Sequence, residues 1–126
     1  MGRVFLAGVG GFVGSALRYI IAGLVQNWSG SIRFPFGTLA VNLAGCLVIG
    51  CLSQLAETRG FFSADARILI FIGVLGGFTT FSSYGLQTFT LLRDGELFLA
   101  LANVVASNVI GLALVWVGYS LAKVIA

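Results

Sequence analysis

Gly73-Val-Leu-Gly-Gly-Phe-Thr-Thr-Phe-Ser-Ser-Tyr-Gly85 lies inside an apolar segment, residues 68–92, that is long enough to cross a membrane. The stretch holds four glycines, two adjacent threonines, two adjacent serines and three aromatic residues, with no charge. Such a composition makes a poor continuous helix. Glycine costs about 1 kcal/mol relative to alanine in a helix interior, and each Ser or Thr offers the backbone a competing hydrogen bond. A break is therefore expected here. Non-helical backbone at membrane depth survives only where protein covers it or where it lines a cavity holding water or ions. The stretch thus reads as an ion site.

The rest of the chain sets the context. Of its 126 residues 59% are hydrophobic and only 9% are charged, and the mean hydropathy is +1.07. These values identify an integral membrane protein of the all-α class. A span needs roughly 20 apolar residues, so the chain has room for four and little else. They are placed at residues 4–25, 38–55, 68–92 and 97–121, a single four-helix transmembrane domain over 1–126, in a multi-pass membrane protein expected in the inner membrane. The net charge is +3, but the basic residues are scattered, which gives no footprint for nucleic acid. Cys46 and Cys51 sit on one helix with side chains pointing apart and read as small packing residues. The first span lacks a clear small-residue cleavage site and reads as retained.

Polar and small residues within the spans are the informative ones. Gly10 and Gly14 leave a flat face on the first helix, whose ordinary purpose is close packing. Arg18 either snorkels to the interface or lines a vestibule that concentrates anions. Thr38 and Asn42 share a face of the second span, where Asn42 serves either as an interhelical hydrogen bond or as a donor to a permeating anion. Asn103, Ser107 and Gly111, with Asn108 beside them, form a polar stripe on the fourth span. Four spans put both termini and the second loop on one side with Arg3, Arg59, Arg67 and Lys123, against Arg33 and Arg93 on the other. So weak a bias suits insertion in both orientations and hence an antiparallel two-fold homodimer.

The chemistry available is narrow. There is no His, and Glu57, Asp65, Asp94 and Glu96 all fall near span ends, which removes the usual acid-base pairs and metal clusters and argues against an enzyme. Proton-coupled transport wants an ionisable group in the membrane, and only Arg18 comes near, with a pKa too high to cycle. Hydroxyls, amides and the positive edges of aromatic rings remain, a lining that can dehydrate a small anion. Carbonyls released by a helix break are hard ligands of the kind that bind Na⁺. Phe81 and Tyr84 share a face just past the break.

Taken together, the Gly-rich first span ending in Arg18-Tyr19, the Gly37-Thr-Leu-Ala-Val-Asn42 segment and Gly76-Gly-Phe-Thr-Thr-Phe-Ser-Ser-Tyr84 closely resemble the Fluc (CrcB) family of fluoride channels over the whole chain. The resemblance implies a dual-topology antiparallel homodimer in the lipid bilayer, with two fluoride pores and a structural Na⁺ at the two-fold axis. It implies Na⁺ ligation by the carbonyls of Gly76 and Thr79, an aromatic box of Phe81 and Tyr84, and a pore amide at Asn42. Thr38, Ser83, Gln87 and Ser107 would belong to the polar track, and Arg18 to a vestibule or helix anchor. No organic cofactor is implied. Position 84 is typically Phe in that family, so the Tyr84 hydroxyl either donates to the anion or impedes it. At Gln87 some members carry a carboxylate. Rival readings are a small dimeric drug or cation exporter, which normally needs a carboxylate absent from this first span, and a non-transporting membrane scaffold.

Overall fold

The computed structural model describes residues 1–125, and among them it contains helices and no strand. Helix α1 spans Gly2–Ser29 and α2 spans Phe36–Arg59. The third segment is two helices, α3 over residues 64–78 and α4 over Phe81–Arg93. Helix α5 spans Leu97–Ile125. Four segments, counting Ala64–Arg93 as one, are long and apolar enough to cross a membrane. The break falls where the sequence placed it, at Thr79 and Thr80, both extended, with φ/ψ of −88°/157° and −149°/118°.

Local chemistry sets the other ends. Gly30 and Gly60 close α1 and α2 in the left-handed region, at φ 67° and 54°, where a glycine meets no Cβ penalty. Pro35 precedes α2, and the Ser63 hydroxyl caps α3 by accepting from the Ala66 N–H at 3.1 Å. Gln26 ties down the first loop. Its Nε2 donates to the carbonyls of Ser31 and Phe34, and its Oε1 accepts from the Gly37 N–H.

Two helix pairs are built on glycine. A methyl group added at Gly10 would meet the Leu69 carbonyl and the Gly73 Cα, and one at Gly14 the Val74 carbonyl and the Phe78 nitrogen. The Gly10-xxx-Gly14 face is thus the seat of α3, backbone against backbone. Gly50 against the Val115 carbonyl and Gly118 against the Leu47 carbonyl join α2 to α5 in the same way. The enclosed core is thin: the largest fully buried side chains are Val41 and Asn103, while Phe5, Phe12, Phe98 and Trp116 lie on the outside. That outer surface suits lipid tails.

Ionic contacts sort the loops into two ends. Arg3 pairs with Asp65 at 3.3 Å, and the Tyr119 hydroxyl donates to Glu57 at 2.8 Å, which puts the N-terminus, the second loop and the end of α5 together. Arg33 pairs with Glu96 at the opposite end. Two π-helical stretches occur among the described residues, Ile68–Leu75 in α3 and Ala106–Ile110 in α5.

Candidate functional site

The break is held by one side chain. The Asn42 Oδ1 accepts from the Thr80 N–H at 2.7 Å, and its Nδ2 donates to the Thr80 carbonyl at 3.0 Å. The interhelical hydrogen bond considered from the sequence is therefore present, and it is made to main chain. One N–H of the amide remains uncommitted. Thr80 in turn starts α4, its hydroxyl accepting from the Ser83 N–H at 3.2 Å.

These bonds free two carbonyls. In an unbroken helix the Gly76 carbonyl would accept from the N–H of Thr80, and the Thr79 carbonyl from that of Ser83. Both donors are instead turned to side chains, Asn42 and Thr80 respectively. Gly76 and Thr79 both line a 390 Å³ cavity at the break. The Thr79 methyl packs against Gly45, where a Cβ could not fit.

The same cavity is lined by Asn42, Phe81, Tyr84, Ser107 and Asn108, and no charged side chain of the described residues faces it. The Phe81 and Tyr84 rings lie 5.6 Å apart at 45°, and Phe81 is 83% exposed, so this single chain covers little of its ring. The Ser107 hydroxyl is buried with no hydrogen-bond partner among the described residues.

A second, larger cavity of 770 Å³ lies on the other side of Thr80. Its lining includes Arg18, Arg33, Thr38, Ser83 and Gln87 and, among the described residues, no carboxylate. Its charge is therefore positive, which raises local anion concentration. The Gln87 Oε1 is buried without a partner among the described residues.

The sequence-derived residues thus fall into two groups. Arg18, Thr38, Ser83 and Gln87 share the basic vestibule; Asn42, Gly76, Thr79, Phe81, Tyr84 and Ser107 share the inner cavity. Thr80 borders both and carries no distinguishing signal in the sequence beyond Thr being a preferred N-cap residue, since Ser83 is not the Glu or Gln of a capping box. The stripe on α5 is also redistributed. Asn103 donates to Thr88 at 2.9 Å and Gly111 faces Cys46, while Ser107 and Asn108 both reach the cavity. The π turn, with its i→i+5 bonding, is what departs from the period-four reading.

Comparison with known proteins is consistent across the chain. A family model described as CrcB-like protein, camphor resistance (CrcB), matches residues 5–119. A protein of Methylobacillus flagellatus named fluoride-specific ion channel FluC is 50% identical over 98% of this chain and 96% of its own length. Proteins of that name from Chlorobium phaeobacteroides and Aquifex aeolicus are 48% and 42% identical, covering 95% and 98% of this chain and 92% and 98% of their own lengths.

Proposed function

The chain belongs to the CrcB-like family, and on that premise we propose that it is a passive, fluoride-selective channel of the inner membrane that lets the anion leave the cytoplasm. The observation that carries this is the pair of cavities meeting at Thr80, a basic vestibule leading to an uncharged chamber of hydroxyl, amide and ring edges. Arg18 gathers anions without trapping them, because it stands in the wider cavity. Thr38, Ser83 and Gln87 offer hydrogen bonds as water is shed, and the remaining Asn42 N–H, the Ser107 hydroxyl and the Phe81 and Tyr84 edges replace the hydration shell beyond. No acid lines the path to repel the ion or to carry a proton.

The working unit in this proposal is an antiparallel homodimer with two pores. Phe81 supports it, since an aromatic box cannot be closed by a ring left 83% exposed in one chain. The freed Gly76 and Thr79 carbonyls fit Na⁺, a hard cation that takes oxygen ligands. Two carbonyls from each of two copies would hold it at the axis and neutralise converging carbonyl dipoles. Bound there, the ion would supply fixed positive charge and would link the two subunits, while Asn42 and Thr80 keep the break open.

Reconstitution of the purified chain in liposomes tests the proposal. Potential-driven fluoride efflux, with chloride efflux far slower, is the expected result. Equal leak of both anions, or none from a folded chain, overturns it.

A further inference from the structure

Asn108 and Tyr84 join α5 to α4 across the inner cavity. The Asn108 Nδ2 lies 2.9 Å from the Val104 carbonyl and 3.1 Å from the Tyr84 hydroxyl oxygen. The first contact fixes the amide. A carbonyl can only accept, so the atom facing Val104 must be the amide nitrogen, and the choice between amide N and O is made by chemistry. That nitrogen's second hydrogen faces Tyr84, whose oxygen therefore accepts it. A phenol carries a single hydrogen, and with its oxygen occupied as an acceptor that hydrogen must point elsewhere. No side chain or carbonyl of the described residues takes it.

What the hydrogen can reach is the 390 Å³ cavity, which both residues line and which no carboxylate enters. We infer that Asn108 is a positioning residue that turns the Tyr84 hydroxyl into a hydrogen-bond donor for the anion in that cavity. The inference rests on the anion-path reading above and deepens it. Without Asn108 the hydroxyl rotates freely and has to be ordered when the anion arrives; with it, the donor is set beforehand. The π turn at Ala106–Ile110 contributes by bringing Asn108 to the cavity beside Ser107. A ring without the hydroxyl at position 84 would leave Asn108 nothing to orient.

A helix-binding role alone would leave the Tyr84 hydroxyl indifferent to the anion, and a vibrational readout separates the two. Ultraviolet resonance Raman of the intact chain reports whether a phenol donates or accepts, and subtracting the Tyr84→Phe spectrum isolates this tyrosine. The native chain is expected to show an accepting phenol without fluoride, and a phenol that also donates once sodium fluoride is added. Asn108→Ala is expected to need about tenfold more fluoride for the same change, the worth of one oriented hydrogen bond to an ion. Asn108→Asp reverses the local polarity: its carboxylate accepts the phenol hydrogen, and the fluoride response should vanish. A Tyr84 signal that ignores fluoride in the native chain, or the same fluoride half-point in the native and Ala chains, overturns the inference. Fluoride that moves this signal in a chain with no efflux would defeat the channel reading and leave Asn108's role standing.

Discussion

Asn42 and Thr80 hold each other by two hydrogen bonds, with the amide oxygen taking the Thr80 N–H and the amide nitrogen giving to the Thr80 carbonyl. One side chain on α2 so replaces the helical partner of the Thr80 N–H and adds a donor to the carbonyl of this residue between α3 and α4. The break is consequently a tertiary structure and not a flexible hinge. Its conformation is imposed from the neighbouring helix, which releases the Gly76 carbonyl, and the Thr80 cap on Ser83 releases that of Thr79.

Replacing Asn42 by Leu is expected to destabilise the protein by about 1–3 kcal/mol, because the N–H of buried Thr80 would lose its partner and its carbonyl would keep only the first intrahelical bond of α4. Asn42→Asp retains the acceptor for the Thr80 N–H and loses the donor, so it should fall between. Thermal unfolding in detergent gives the order. A Leu variant as stable as the parent would show that Thr80 finds other partners and that the clamp is incidental.

The α1–α3 seam gives a test with its own control. Gly14→Ala puts a methyl into the Val74 carbonyl and the Phe78 nitrogen, neither of which can move without separating the helices, and should cost about 1–3 kcal/mol. At Gly8 nothing lies within 4 Å of an added Cβ, so Gly8→Ala should be neutral or stabilise by up to about 1 kcal/mol through helix propensity. Unfolding curves that move equally for the two variants would place the seam elsewhere.

Much of this was legible from residue types because the membrane leaves the backbone few options. Four apolar runs could only be helices, and a run carrying Gly76, Gly77, Thr79 and Thr80 could not remain one. Asn42 was legible as a residue needing a partner, but the partner was not, since main chain 38 positions away has no sequence signature. Asn108 was noticed only as a neighbour of the Asn103 stripe. Its arrival at the cavity depends on a π turn, and no hydrophobic period announces an extra residue in a helical turn. Gln26 carries in the sequence only the signal of ordinary loop polarity, whereas its three hydrogen bonds anchor the first loop to the start of α2.

Arg18 offers a prediction about salt. If it acts through its field in the vestibule, Arg18→Gln should slow fluoride efflux by about 2–5-fold at low ionic strength, and the deficit should shrink toward nothing as salt rises and the Debye length falls to about 3 Å at 1 M. Rates measured across a salt series decide the matter. A deficit that persists unchanged at high salt would mean that Arg18 anchors α1 by packing or direct bonding, and the vestibule would owe its function to neutral groups.

Sodium removal tests the freed carbonyls most directly. Anything that binds the folded protein, here the proposed dimer, and not the unfolded chain stabilises it in proportion to the logarithm of its concentration, about 2.7 kcal/mol at a hundred times the dissociation constant. Exchanging Na⁺ for choline should therefore lower the unfolding temperature and raise the monomer fraction on size-exclusion chromatography, with recovery on adding Na⁺ back. Thr79→Ser leaves the carbonyl in place and should keep the full sodium response, since the ligand is main chain. Asn42→Leu should weaken it, because the break that exposes the Gly76 carbonyl then loses its clamp on the Thr80 N–H. Should choline and sodium give the same unfolding temperature in the parent chain, these carbonyls serve no cation, and the break exists for the anion path alone.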